Sequence, residues 1–171
     1  TRFTKRCSGY LYQCLVTNLM NQPLQKRPTP AQRHDYHWFS TVQTRWSDND
    51  LYGHVNNVTY YAYFDSVINR FLIEQGGLDI RNGDQIGFIV ESTCHYFQPV
   101  AYPQALECGF KVTRLGSSSV DYELAIFTLE DSMSVATGKM THVFVDRDTQ
   151  KPKAIAGKLL AALSSQFAQR E

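Results

Sequence analysis

The feature that most constrains this chain is a helical stripe that is apolar over much of its circumference. Tyr60, Tyr61, Phe64, Val67, Ile68, Phe71 and Leu72 recur at three- and four-residue spacings, the period of a buried helix. Gly76-Gly77 closes that helix at its C-terminal end. A helix of this kind must be covered, and the rest of the chain supplies the cover. Residues 37–46 are rich in β-branched and aromatic side chains and read as a first strand, stopped by Ser47-Asp48-Asn49-Asp50. After the helix, residues 87–97 read as a second strand, ended by Pro99 and Pro103. Leu106, Cys108, Phe110 and Val112 then alternate with Glu107, Gly109, Lys111 and Thr113, a period of two that puts one face in a core. Leu115-Gly116-Ser117-Ser118 supplies a hairpin turn. The return strand sets Val120, Tyr122, Leu124 and Ile126 against Ser119, Asp121, Glu123 and Ala125. Glu130-Asp131-Ser132 turns the chain into a last strand over 135–146, and Leu159, Leu160, Leu163 and Phe167 predict a short C-terminal helix. The expected fold class is α+β, with a curved antiparallel sheet wrapped around one long central helix.

Size and charge narrow the function classes. The chain has 171 residues, enough for one domain with a real core but not for two comfortable ones. A formal net charge of +1 argues against nucleic acid as a partner, and no apolar run reaches the ~20 residues needed to span a bilayer. Cys7, Cys14, Cys94 and Cys108 form no C-x-x-C pair and have no histidine partner at zinc spacing, so a metal site is not expected and reduced thiols are. Residues 1–36 carry Arg2, Lys5, Arg6, Lys26, Arg27 and Arg33 against the single acid Asp35. They read as a basic N-terminal extension and linker, broken by Pro23, Pro28 and Pro30, with residues 37–171 forming the single domain. The Leu11, Leu15, Leu19 set with Tyr12, Val16 and Met20 is compatible with a mitochondrial targeting remnant; a plain basic tail is the blander alternative. The expected location is intracellular, cytoplasmic or, if that remnant is real, mitochondrial.

Chemistry concentrates in one short segment. Asp48, Asp50 and His54 crowd a loop that ends in Asn56-Asn57, just where the long helix begins. A helix N-terminus carries unsatisfied N–H groups and a partial positive charge, so it can polarise a carbonyl and stabilise an oxyanion. A carboxylate a few residues earlier can attack that carbonyl or draw a proton from water. Gly53 permits the sharp turn between the two parts. The same residues also suit a simple Asp/Asn turn in which His54 and Asn56 only cap the helix, and the local pattern leaves both readings open.

A wider pattern bears on that choice. The run Arg45-Trp46-Ser47-Asp48-Asn49-Asp50-Leu51-Tyr52-Gly53-His54-Val55-Asn56-Asn57-Val58-Thr59-Tyr60, followed by Tyr63-Phe64-Asp65, resembles the signature of the 4-hydroxybenzoyl-CoA thioesterase-like hotdog family. Tyr96-Phe97-Gln98-Pro99 and the segment 112–120 extend the resemblance, which covers residues 37–147. It implies a hotdog fold, an acyl-CoA substrate hydrolysed to free acid and coenzyme A, no cofactor, and assembly as a homodimer or homotetramer with sites at the dimer interface. It implies Asp50, the second Asp of D-x-D, as catalytic base or nucleophile. The N–H near Asn57 becomes the oxyanion donor, and His54 shapes the catalytic site. Asp48, Tyr52, Gly53, Val55, Asn56 and Tyr60 become substrate-side residues, with Asp48 bracing the loop.

The chain departs from the family pattern in two places. Ser117 stands where relatives often carry a basic residue, and Asp65 stands where many carry Glu, which keeps Asp65 a minor catalytic candidate. Lys111, Arg114, Arg147, Lys151 and Lys153 are the cations suited to CoA phosphates. Two other functions fit the same fold: a non-catalytic acyl-CoA-binding module, or a dehydratase or hydratase centred on His54. Other motif readings fail. An EF-hand loop beginning at Asp48 would need Glu at Thr59. A haloacid-type phosphatase would need a buried parallel strand before D-x-D, and Ser117-Ser118-Ser119 makes no nucleophile elbow.

Overall fold

The structure is a computed structural model describing residues 28–168; the N-terminal set from Leu11 to Met20, with Cys7 and Cys14, lies outside the described residues. Five strands form one antiparallel sheet: β1 (Trp38–Gln43), β2 (Gln85–Tyr96), β3 (Ala105–Leu115), β4 (Ser119–Thr128) and β5 (Ala136–Asp146). Their order is β1-β3-β4-β5-β2, so the first two strands in sequence become the two edges. Two helices accompany the sheet, α1 (Asn57–Glu74) and α2 (Gly157–Ala168). All the elements expected from the residue pattern are present, with boundary shifts of a few residues. The largest shift is at the first strand, which ends at Gln43 because Trp46–Asp48 forms a 3-10 turn. A strand continued to Trp46 would forfeit the bond from the Arg45 N–H to Asp48 Oδ2 (2.7 Å) that anchors this turn.

The helical stripe buries Tyr60, Tyr63, Phe64, Val67, Ile68, Phe71 and Leu72. Tyr61, which the spacing placed inside, is only half-buried, and Tyr63 takes the inner position. Asn56 caps the start, its Oδ1 accepting from the Val58 N–H (3.1 Å). At the other end the Gly77 and Leu78 N–H groups fold back onto the carbonyls of Ile73 and Leu72 (3.1 and 2.9 Å). The helix sits very close to β5. A Cβ built on Gly138 would lie 2.5 Å from the Phe64 ring, so only glycine lets Phe64 seat there. An aromatic row runs across the same face, Trp38 to Phe71 to Phe110 to Tyr122 to His142, with successive ring centroids 4.5–5.5 Å apart. Burial drives the His142 imidazole down to about 4, so it is uncharged at neutral pH.

The core differs from the expectation of a single enclosed helix. Ile155, Leu159 and Leu163 enter the same cluster as α1 and the sheet, so two helices share it. The outer face of the sheet is also not simply solvated. Ala125 and Phe127 are buried there under Tyr36, with Ala31 and Phe39 alongside. Arg33 ties this cover down. It pairs with Glu107 (2.5 Å), donates to the Thr128 carbonyl (2.7 Å), and lies over the Phe127 ring. Residues 31–36, read from sequence as linker, therefore pack against the strands.

The candidate active site

The loop between β1 and α1 is tied at several points by its own backbone. The Asp50 N–H donates to the His54 carbonyl (2.8 Å) and the Gly53 N–H to the Asp50 carbonyl (3.1 Å), closing a tight turn. Gly53 has φ +80°, a left-handed conformation that explains glycine at this point of the run. The Asn56 N–H reaches back to the Asp48 carbonyl (2.8 Å), and the Val55 N–H crosses to Val100 (2.8 Å). Asn49 Oδ1 accepts from the Tyr102 N–H (3.1 Å). The loop thus holds a defined shape at the mouth of α1.

The two aspartates receive different treatment. Asp48 Oδ2 accepts from the Arg45 N–H (2.7 Å) and from Tyr63 Oη (2.6 Å). Burial, with the Asp48 hydrogen bond second, raises the Tyr63 phenol far above its ordinary range. Asp50 accepts one bond, from the Tyr52 N–H to Oδ1 (2.8 Å), and no donor reaches its Oδ2 among the described residues. The Asn57 N–H likewise has no acceptor among the described residues, while Asn57 O accepts from Tyr96 Oη (2.9 Å). Tyr96 comes from the end of β2 and packs edge-on against Tyr60 (5.1 Å). One oxygen of each aspartate and the donor at the start of α1 are thus left open among the described residues, groups of the kind an acyl-transfer centre uses.

The remaining expected site residues separate into inside and outside. Val55 and Tyr60 are core side chains, and burial raises the Tyr60 phenol to about 12. Leu51, Tyr52, Gly53 and His54 are exposed, and the His54 ring has no hydrogen-bond partner among the described residues. Asn56 is the helix cap. Asp65 is exposed two turns along α1, bonded by Asn69 (3.1 Å). Residue spacing did not assign roles to Tyr63 and Tyr96, although both lie in the matched segments. Their partners, Asp48 and Asn57, are fifteen and thirty-nine positions away, and only tertiary packing brings them together.

Most of the cations expected for phosphate are already engaged. Lys111 pairs with Glu123 (2.7 Å), and Arg114 grips Asp121 with two bonds (2.6 and 3.0 Å). Arg147 donates to the Gly83 and Ile80 carbonyls, and Lys153 pairs with Asp84 and Asp146. Lys151 makes no ion pair among the described residues. Among those residues no group of His, Cys, Asp and Glu could hold a metal ion, and no helix is long and apolar enough to cross a membrane. A groove of about 630 Å³ opens beside the loop, between β1 and the face of α1 that carries Tyr63, Ser66 and Arg70. Asp48 lines its loop end and Asp50 does not.

Known proteins resemble the chain as follows. Residues 44–163 match the sequence model of the thioesterase-like superfamily. The crystal structure of the PA5185 protein of Pseudomonas aeruginosa strain PAO1 shares 52% sequence identity and superposes with a TM-score of 0.79, covering 80% of this chain and 96% of that one. A 1,4-dihydroxy-2-naphthoyl-CoA thioesterase from Synechocystis, Slr0204, has the same fold at 17% identity and a TM-score of 0.67, over 74% of this chain and 94% of its own. The YsmA protein of Bacillus subtilis (strain 168) is 27% identical over 116 residues, 68% of this chain and 78% of that protein.

Proposed function

The chain belongs to the thioesterase-like superfamily, and on that premise we propose that it hydrolyses an acyl-CoA thioester to the free acid and coenzyme A. The observation that supports this reading is that Asp50 Oδ2, in the turn-closed loop, and the Asn57 N–H, at the helix start that follows it, both lack hydrogen-bond partners among the described residues. In this mechanism the thioester carbonyl oxygen faces the Asn57 N–H. Attack at the carbonyl carbon, by Asp50 itself or by a water it deprotonates, forms a tetrahedral oxyanion held by that N–H. Collapse expels the CoA thiolate, which takes up a proton. The water route leaves the free acid, and the direct route leaves an acyl–Asp50 anhydride that a water then hydrolyses to the acid and free Asp50. A helix-terminal donor of this kind contributes about 3 kcal/mol of transition-state stabilisation, and the first turn of α1 adds its dipole. Asp48, whose Oδ2 holds both the Arg45 N–H and the Tyr63 hydroxyl, braces the loop in this reading. Among the described residues no group orients the His54 ring, which weighs against a His-centred hydratase. The fold in this reading is the hotdog, with α1 as the helix the sheet encloses.

A second copy of the chain belongs to the same proposal. β2 is an edge strand, and its row Phe88, Ile89 and Val90 is 43%, 38% and 61% exposed. A long apolar edge is a template for pairing unless something covers it, and a homodimer joined along β2 would cover it. The Tyr96 end of that strand touches the site, so dimerisation would also enclose the loop. Val90→Lys should shift the protein toward monomer in sedimentation equilibrium; an unchanged dimer would place the interface elsewhere.

The catalytic assignment has a direct test. Asp50→Asn should lower thiol release from acyl-CoA substrates by about 10²- to 10⁴-fold. Wild-type turnover in a normally folded variant would refute it.

A further inference from the structure

We propose that the groove between β1 and α1 selects the acyl group, and that its far end, at Arg70, takes a carboxylate carried on the acyl chain. The proposal rests on the thioesterase reading and adds the class of substrate to it. The groove begins at the catalytic loop, where Asp48 and Arg45 form its lip, and runs along the α1 face from Thr59 past Tyr63 and Ser66 to Arg70. Tyr63 and Arg70 are seven residues apart on one helix, so the groove extends ~10 Å from the Asp48–Tyr63 bond at 1.5 Å per residue.

Its walls do not suit a long alkyl chain. Val42, Ala62 and Val67 are the aliphatic contributors, and the rest of the lining is dominated by hydroxyl, amide and charged groups. Asp48 stands at the loop end of the groove, bonded to Tyr63 and so ~10 Å from Arg70. The far end is different. Arg70 Nη1 donates to the Ser40 hydroxyl (2.8 Å), which sits on the buried inner face of β1. That bond aims the guanidinium across the groove. The second carboxylate nearby, Glu74, stands 3.7 Å from Nε with half of each side chain in water, an arrangement that contributes little. A guanidinium has five N–H donors in a planar fork, and the one tied to Ser40 leaves a pair for a bidentate carboxylate. An acyl chain with its thioester at the loop and a terminal carboxylate at Arg70 satisfies both ends of the groove. An alkyl terminus of the same length would leave those donors to water.

The test is a thiol-release series in which each alkanoyl-CoA of about seven carbons is matched with its ω-carboxylated counterpart. The readout is the ratio of kcat/KM between the two. In the wild type the ratio should favour the carboxylated thioester by about tenfold, the worth of a hydrogen bond to a charged group. Arg70→Met should bring it to about one, and Arg70→Lys, which keeps the charge but not the fork, should fall between. If Arg70→Met does not fold, Arg70→Lys and Ser40→Ala carry the same comparison, since each leaves a cation in place but spoils its aim. A ratio that none of these variants moves would overturn the assignment of Arg70 and leave the hydrolase intact. Failure of the wild type to release thiol from any member of the series would overturn the hydrolase reading and this inference with it.

Discussion

Asp48 and Asp50 lie two residues apart in one loop, carry the same functional group, and are placed in opposite circumstances. Asp48 is at the inner end, with one oxygen holding both a backbone N–H and a phenol, against the groove and α1. Asp50, half-buried like Asp48, has one oxygen on the Tyr52 N–H and the other without a donor among the described residues. The backbone turn that follows Asp50 is closed by bonds from Asp50 to His54 and from Gly53, at φ +80°, to Asp50. On the proposed reading Asp48 serves as a strut and Asp50 as the reagent, although each keeps one oxygen without a donor among the described residues. What the surrounding fold donates to these identical residues differs: Asp48 receives a tertiary partner in Tyr63, and Asp50 only a local one in Tyr52.

The sharpest way to break this contrast is to remove each charge in turn. Asp50→Asn should abolish nearly all turnover, by the factor given above, while leaving the urea midpoint unchanged, because that side chain holds a single local bond. Asp48→Asn should do the reverse. Loss of a charged acceptor serving two donors should cost roughly 1–3 kcal/mol of stability, read as a lowered urea midpoint, with a smaller loss of activity. Equal loss of turnover in a fully stable Asp48→Asn would merge the two roles. The smallest effect expected is that of Tyr63→Phe. It removes one of the two bonds and should cost about 1 kcal/mol, measurable in the same melts. A double-mutant cycle with Asp48→Asn should then show coupling between the pair, and strict additivity would mean that the strut is not made through Tyr63.

Much of the architecture was legible because its signals are local and periodic. Alternation at Leu106, Cys108, Phe110 and Val112 placed β3, and all four side chains are buried. The stripe from Tyr60 to Leu72 placed α1 to within a turn. What escaped depends on contacts distant in sequence. Ala125 was read as solvent-facing because it falls on the polar side of the alternation, yet it lies under Tyr36, some ninety positions earlier. The partnership of α2 with α1 in one core was hidden because Leu159 and Leu163 make too short a pattern to reveal what they meet. At the site, the ten-residue run located the loop and its turn. It carried no information on which oxygen each aspartate would have left over, because Tyr63 and Tyr96 reach the loop only through the packed helix and the β2 edge.

The close seating of Phe64 over Gly138 has a consequence at the site. The ring rests directly on the β5 backbone, so the height of α1 above the sheet is gauged by one missing methyl group. The Asn57 donor sits two turns above Phe64 on the same rigid rod. A side chain at position 138 would run into the Phe64 ring, so the ring or the helix that carries it would have to shift. On the proposed reading, a residue that touches no substrate is thereby a gauge block for the spacing of Asn57 and Asp50, set from the opposite side of the core.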